Sequence, residues 1–155
     1  MDMAGHPKWL HTLFSDEDLD SLIGAIRRAE AETSGEIRLH LERRLPTAAG
    51  GDALARAREV FERLGMQATA ERNGVLIYLA IDDHRLAVVG DDAVHARVGD
   101  GYWNALRDGL VERLRAGRPR EALVTAIENV GATLRHHFPR GAGDANELSD
   151  DVSAG

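Results

Sequence analysis

Three rhythms of polar and apolar residues run along the chain, and each predicts an element. Leu19, Leu22, Ile23, Ile26 and Ala29 recur at helical spacing, so one face of a helix is covered. Ser15 stands where it would cap that helix, and Asp16, Glu17 and Asp18 suit the positive end of its dipole. After Ser34-Gly35, the run Glu36-Ile37-Arg38-Leu39-His40-Leu41-Glu42 alternates with period two. That predicts a strand with one covered face, placed near a sheet edge. Small residues dominate from 46 to 52, after which Leu54, Ala57, Val60, Phe61 and Leu64 form a second helical stripe ending near Gly65.

Val75-Leu76-Ile77-Tyr78-Leu79-Ala80-Ile81 is a continuous run of strand-favouring apolar residues, as in a central strand covered on both faces. Asp82-Asp83-His84-Arg85 is turn chemistry, and Leu86-Ala87-Val88-Val89-Gly90 returns as the antiparallel partner. The first two strands are joined through a helix, so they pair in parallel. Helices are expected over 102–116 and 119–137, with Trp103, Leu106, Leu110 and Leu114 on one stripe and Leu123, Ile127, Val130 and Leu134 on the other. The sum is an α/β domain over residues 15–138: a three-layer αβα sandwich whose mixed sheet is built on a central β-hairpin, with helices on both faces. Residues 1–14 form an N-terminal segment, and residues 139–155, rich in Gly, Ala, Asp and Ser, read as a flexible tail.

Composition narrows the chemistry. With 155 residues the chain suffices for one core, and it has no apolar run near the ~20 residues that span a bilayer. Its N-terminus carries no secretory pattern, so a cytoplasmic location without membrane insertion is expected. The absence of cysteine excludes disulfides, thiolate metal sites and cysteine nucleophiles, and favours hard cations bound through oxygen. A formal net charge of −7, with basic residues interleaved among acids, argues against nucleic acid as a partner.

Acids gather at both ends of the hairpin. Asp82 and Asp83 sit at the turn, with Asp52 at the same end. Asp91 and Asp92 follow the returning strand, with Glu36 and Asp100 on their side. A five-residue strand separates the two pairs by about 15 Å, too far to share one ion. Either group could hold Ca²⁺ or Mg²⁺, the turn being the first choice; equally, Asp-Asp makes a good turn and Asp100 a good helix cap. His136 and His137 suit the negative end of the last helix, and His84 could assist Asp83 as an acid or base. No G-x-S-x-G elbow, H-E-x-x-H or phosphate-binding glycine loop is present.

Several segments taken in order resemble one family: Thr33-Ser34-Gly35-Glu36-Ile37-Arg38, Phe61-Glu62-Arg63-Leu64-Gly65-Met66, Arg72-Asn73-Gly74-Val75-Leu76-Ile77-Tyr78, Asp83, Gly90-Asp91, Val98-Gly99 and Asp144-Ala145-Asn146-Glu147-Leu148. Together they resemble the TPM domain family in its short stand-alone bacterial form. The resemblance implies an αβα sandwich and divalent-cation binding, calcium first, by acidic loop residues, of which Asp83 and Asp91 match family positions. It also implies phosphatase activity for some plant thylakoid members, and for others an accessory role beside a protein partner; a metal-free protein-interaction module is the further alternative. His84 stands where arginine is common in the family, and Ala93 where glycine is common.

Overall fold

The computed structural model describes residues 8–141 and 152–154. The Asp144 to Leu148 part of the family resemblance and most of the expected tail lie outside them. Ser15 caps α1 (Asp16–Glu30) as its sequence predicts: Ser15 Oγ accepts from the Asp18 amide and Asp18 Oδ2 accepts from the Ser15 amide, both at 3.0 Å. This reciprocal box satisfies two polar groups that a bare helix start would leave to water. Strand β1 (Glu36–Glu42) follows, then α2 (Ala53–Arg63), capped by Asp52 through the Ala55 amide at 3.1 Å. Strands β2 (Gly74–Ala80) and β3 (Arg85–Gly90) form the expected hairpin.

Helix α3 (Asp92–Arg115) begins ten residues before its predicted start. Gly99 and Gly101, with Asp100 between them, read as a break in the sequence; Gly99 takes φ 76°, kinks the helix and lets it resume. Its cap is therefore Asp91 and not Asp100. Helix α4 (Pro119–His137) matches its prediction, with proline in its first turn. Gly131 lets α4 close on α1, since a Cβ there would lie 2.7 Å from the Ala29 methyl.

The strand order is β3-β2-β1-β4, where β4 is Val152–Ala154. β1 pairs in parallel with β2 along seven residues and with β4 along three, and β2–β3 is antiparallel. β1 lies next to the sheet edge, as expected, but the edge itself is β4: residues 152–154, expected as part of the tail, pair with it. A three-residue strand set in a polar stretch has no periodicity to read.

Alternate residues of the sheet face two cores. Ile37, Leu39, Leu41, Val75, Ile77, Leu79, Val88 and Val152 pack with α1, α3 and α4. On the opposite face Leu76, Tyr78, Ala80 and Ala87 pack against Ala57, Val60 and Phe61 of α2. The three-layer sandwich is thus as expected, with three helices on one face and one on the other. Glu36, His40 and Glu42, the polar side of the β1 alternation, are buried as well. Flanking strands on both sides leave that face little access to water.

Candidate functional site

At the hairpin turn, the backbone after β1 runs alongside residues 81 and 82, with the Asp82 amide donating to the Arg43 carbonyl at 2.8 Å. Asp82 Oδ2 accepts from Arg43 Nε at 3.0 Å and lies 3.5 Å from Arg44 Nε. Asp83 Oδ2 accepts the Leu45 amide at 2.5 Å. His84 adopts φ 52°, the left-handed conformation that closes the turn. The two acids therefore stitch the turn to the loop leaving β1, and two arginines face the one charge of Asp82.

The other end is built differently. Arg72, itself at φ 52°, donates to Asp91 from Nε to Oδ2 at 2.8 Å and from Nη2 to Oδ1 at 2.9 Å. Asp91 Oδ1 also accepts the Asp92 amide at 2.8 Å, and the Asp91 amide donates to the Gly74 carbonyl at 2.9 Å. This bidentate hold on a buried carboxylate raises the guanidinium pKa above its ordinary value. Asp91 is fully engaged as helix cap and ion-pair partner, whereas the Asp92 side chain is 88% exposed, 3.5 Å from Arg72 Nη2.

Between α2 and the start of α3 runs a groove floored by Val88, Val89 and Gly90 and lined by Arg58, Glu62, Arg72, Asp91, Asp92, His95, Asp100 and Trp103. Trp103 Nε1 donates to His95 Nδ1 at 3.0 Å, which places the proton of a neutral His95 on Nε2, 3.6 Å from Asp100 Oδ1. In that tautomer His95 offers no free lone pair to a cation, and its Nε2 faces Asp100. Counting charges, Glu62, Asp91, Asp92 and Asp100 outnumber Arg58 and Arg72 in this groove. Glu36 is buried and is not among the lining residues. The structure thus brings Asp91 and Asp92 together with Asp100, separates them from Asp82 and Asp83, and leaves Glu36 inside. Among the described residues no three carboxylates or imidazoles converge on one point as a ready-made ion cage.

Sequence reading missed one cluster, a polar row across the α2 face of the sheet. His40 pairs in register with Tyr78 on one side and Ser153 on the other, and its ring stacks on Tyr78 with centroids 6.1 Å apart. His40 Nδ1 lies 2.8 Å from Ser153 Oγ, and Nε2 lies 3.4 Å from Glu42 Oε1. Arg56 of α2 donates to the same Glu42 oxygen from Nε at 2.8 Å and from Nη2 at 2.7 Å, and pairs with Glu59 as well. Burial, reinforced by the charges of Arg56, Arg38 and Arg63, lowers the His40 pKa to about 4; burial also pushes the Tyr78 hydroxyl up to about 12. The polar side of the β1 alternation was the available signal, since charged residues on an interior strand must find partners.

Comparison with known proteins places these features in a group. A family model described as the TPM domain matches residues 10–133. Among solved structures, the BA42 protein of the psychrophilic bacterium Bizionia argentinensis is similar at 36% identity and TM-score 0.82, covering 92% of this chain and 95% of that one. The N-terminal domain of a P. gingivalis protein superposes with TM-score 0.65 at 19% identity, over 83% of each chain. That of the Corynebacterium glutamicum protein cg2496 gives 0.63 at 14% identity, over 95% of each, and these two likenesses speak to the fold alone. No protein of curated function matches.

Proposed function

The chain belongs to the TPM domain family, and from that premise we propose that it is a divalent-cation-binding domain, calcium first, serving an accessory role towards a protein partner. The cation site of this reading is the mouth of the groove, with Asp92 and Asp100 as ligands. The observation that carries it is the contrast in commitment between the two acidic ends. Asp82 lies between two guanidinium groups and Asp83 is bonded to a backbone amide, while Asp92 and Asp100 are 88% and 90% exposed in a groove of net negative charge. Hard cations collect carboxylate, carbonyl and water oxygens, so two exposed carboxylates at a wet groove fit Ca²⁺ or Mg²⁺. Arg72 and His95 stand behind the ligands: the first fixes Asp91 at the helix start and lies 3.5 Å from Asp92, and the second lies 3.6 Å from Asp100.

Two ligands that are not preassembled imply weak binding, on the order of 10⁻⁴–10⁻³ M. Calorimetry with Ca²⁺ on wild type, on Asp92→Asn/Asp100→Asn and on Asp82→Asn/Asp83→Asn tests the assignment. The first pair should abolish the heat and the second should leave it. Loss confined to the second pair would return the site to the turn, and negligible heat in all three would end the cation reading. Metal-assisted hydrolysis of phosphate monoesters, which the family resemblance implies for some members, would need a positive side chain beside the ion for the phosphate. The two arginines of this groove, Arg58 and Arg72, are outnumbered by its four acids, which ranks binding above catalysis.

A further inference from the structure

We propose that the outer edge of β1 is a strand-accepting site, filled in cis by Val152–Ala154, that takes in trans an extended segment of a partner protein. That segment would run parallel to β1 and present an apolar, a hydroxyl-bearing and a small residue in succession.

The site is visible through its present occupant. Leu39, His40 and Leu41 pair with Val152, Ser153 and Ala154, whereas β1 pairs with β2 along all seven residues. Successive positions of the short strand meet opposite faces of the sheet. Val152 is buried in the main core, as alternation requires, and Ser153 points to the opposite face, where its Oγ lies 2.8 Å from His40 Nδ1. Ala154, half-buried, returns to the main-core side. This is how sheet edges recognise peptides: main-chain hydrogen bonds supply affinity, and pockets for alternate side chains supply selectivity.

His40 is the selective element. A hydroxyl both donates and accepts, so it satisfies Nδ1 in either tautomer of the neutral ring, whereas a purely apolar residue would leave that nitrogen unmet. Three residue pairs with one fully buried apolar side chain make a strand of low local stability, drawn from the end of the scale that opens without global unfolding. Release would uncover the edge of an interior strand together with part of the main core, a surface that cannot stay bare in water. A partner segment with the same side-chain order would cover it with the same contacts.

The test uses the full chain with Val152→Asp, which removes the apolar anchor of the resident strand. A fluorescent peptide of residues 146–155 should bind this variant, folded by circular dichroism, at least about tenfold more tightly than wild type, whose own strand must first leave. Ser153→Ala in the peptide should weaken binding about threefold to tenfold, the loss expected for one hydrogen bond. A scrambled peptide should not bind. No binding to the folded variant, or equal binding of the scrambled peptide, overturns the proposal. Should Val152→Asp fail to fold, native-state hydrogen exchange on wild type decides: amides of 152–154 must exchange at least about tenfold faster than those of β2, and equal protection overturns the proposal.

Discussion

Arg72 grips Asp91 through both carboxylate oxygens while the same carboxylate caps α3 through the Asp92 amide. One buried side chain therefore joins the loop before β2 to the helix after β3, and so fixes the end of the hairpin where the groove opens. Asp91→Ala removes the cap and the ion pair together. The cap alone is worth about 1–2 kcal/mol. Chemical denaturation should show a loss of at least that size, and Asp91→Asn, which keeps an oxygen for the amide, a smaller one.

Gly90 and Trp103 occupy the same space in a second sense. A Cβ on residue 90 would lie 2.2 Å from Trp103 Cζ2 and 2.5 Å from Cη2. The indole therefore packs against the strand end, where only glycine leaves room. Gly90→Ala should destabilise by roughly 1–3 kcal/mol, the usual cost of overpacking. Because the displaced ring would also lose its bond to His95, a shift in tryptophan fluorescence should accompany the lower melting temperature.

What the sequence disclosed divides along a physical line. Elements made by local signals were legible to within a residue or so. Ser15 and Asp18 announced α1, the apolar run of β2 and the turn residues after it announced the hairpin, and Pro119 announced α4. The misses were made by contacts distant in sequence. The edge strand Val152–Ala154 exists by pairing with β1, more than a hundred residues away, and the start of α3 depended on Arg72 holding Asp91 so that helix could begin ahead of the glycines. The acids of the candidate site were all visible, and so was their division between two ends. Which of them were already spent on Arg43, Arg44, Arg72 or a backbone amide was not, because those bonds follow from the fold.

His40 makes stability depend on pH. Its pKa is about 4 in the folded protein against 6.5 ordinarily, because burial and nearby arginines oppose the charged ring. A depressed folded value means that between these limits the unfolded chain binds the extra proton. Stability from this group is therefore whole above about pH 6.5, falls as pH drops towards 4, and changes no further below that. With solvent screening of the partly accessible ring taken into account, the window corresponds to on the order of 1–2 kcal/mol. Urea unfolding measured from pH 4 to 8 should show this slope in wild type and a flatter one in His40→Gln.

Glu42 and Arg56 supply the last prediction, because their pairing also governs His40. Glu42 is buried with both Arg56 and His40 against one oxygen. Glu42→Ala would leave the guanidinium short of its main partner, at a cost of about 3 kcal/mol, the low end for a broken buried pair because Glu59 still contacts Arg56. Arg56→Met leaves the opposite charge behind, and here His40 can respond. With a major source of positive potential gone and Glu42 3.4 Å away, the imidazole gains reason to hold a proton, so its pKa should rise from about 4. That response should soften the loss in Arg56→Met at acidic pH and not in Glu42→Ala. A double-mutant cycle should return a coupling on the order of 2 kcal/mol at neutral pH. An NMR titration of His40 in Arg56→Met gives the independent check: an unmoved pKa would mean that the arginine does not hold the ring neutral.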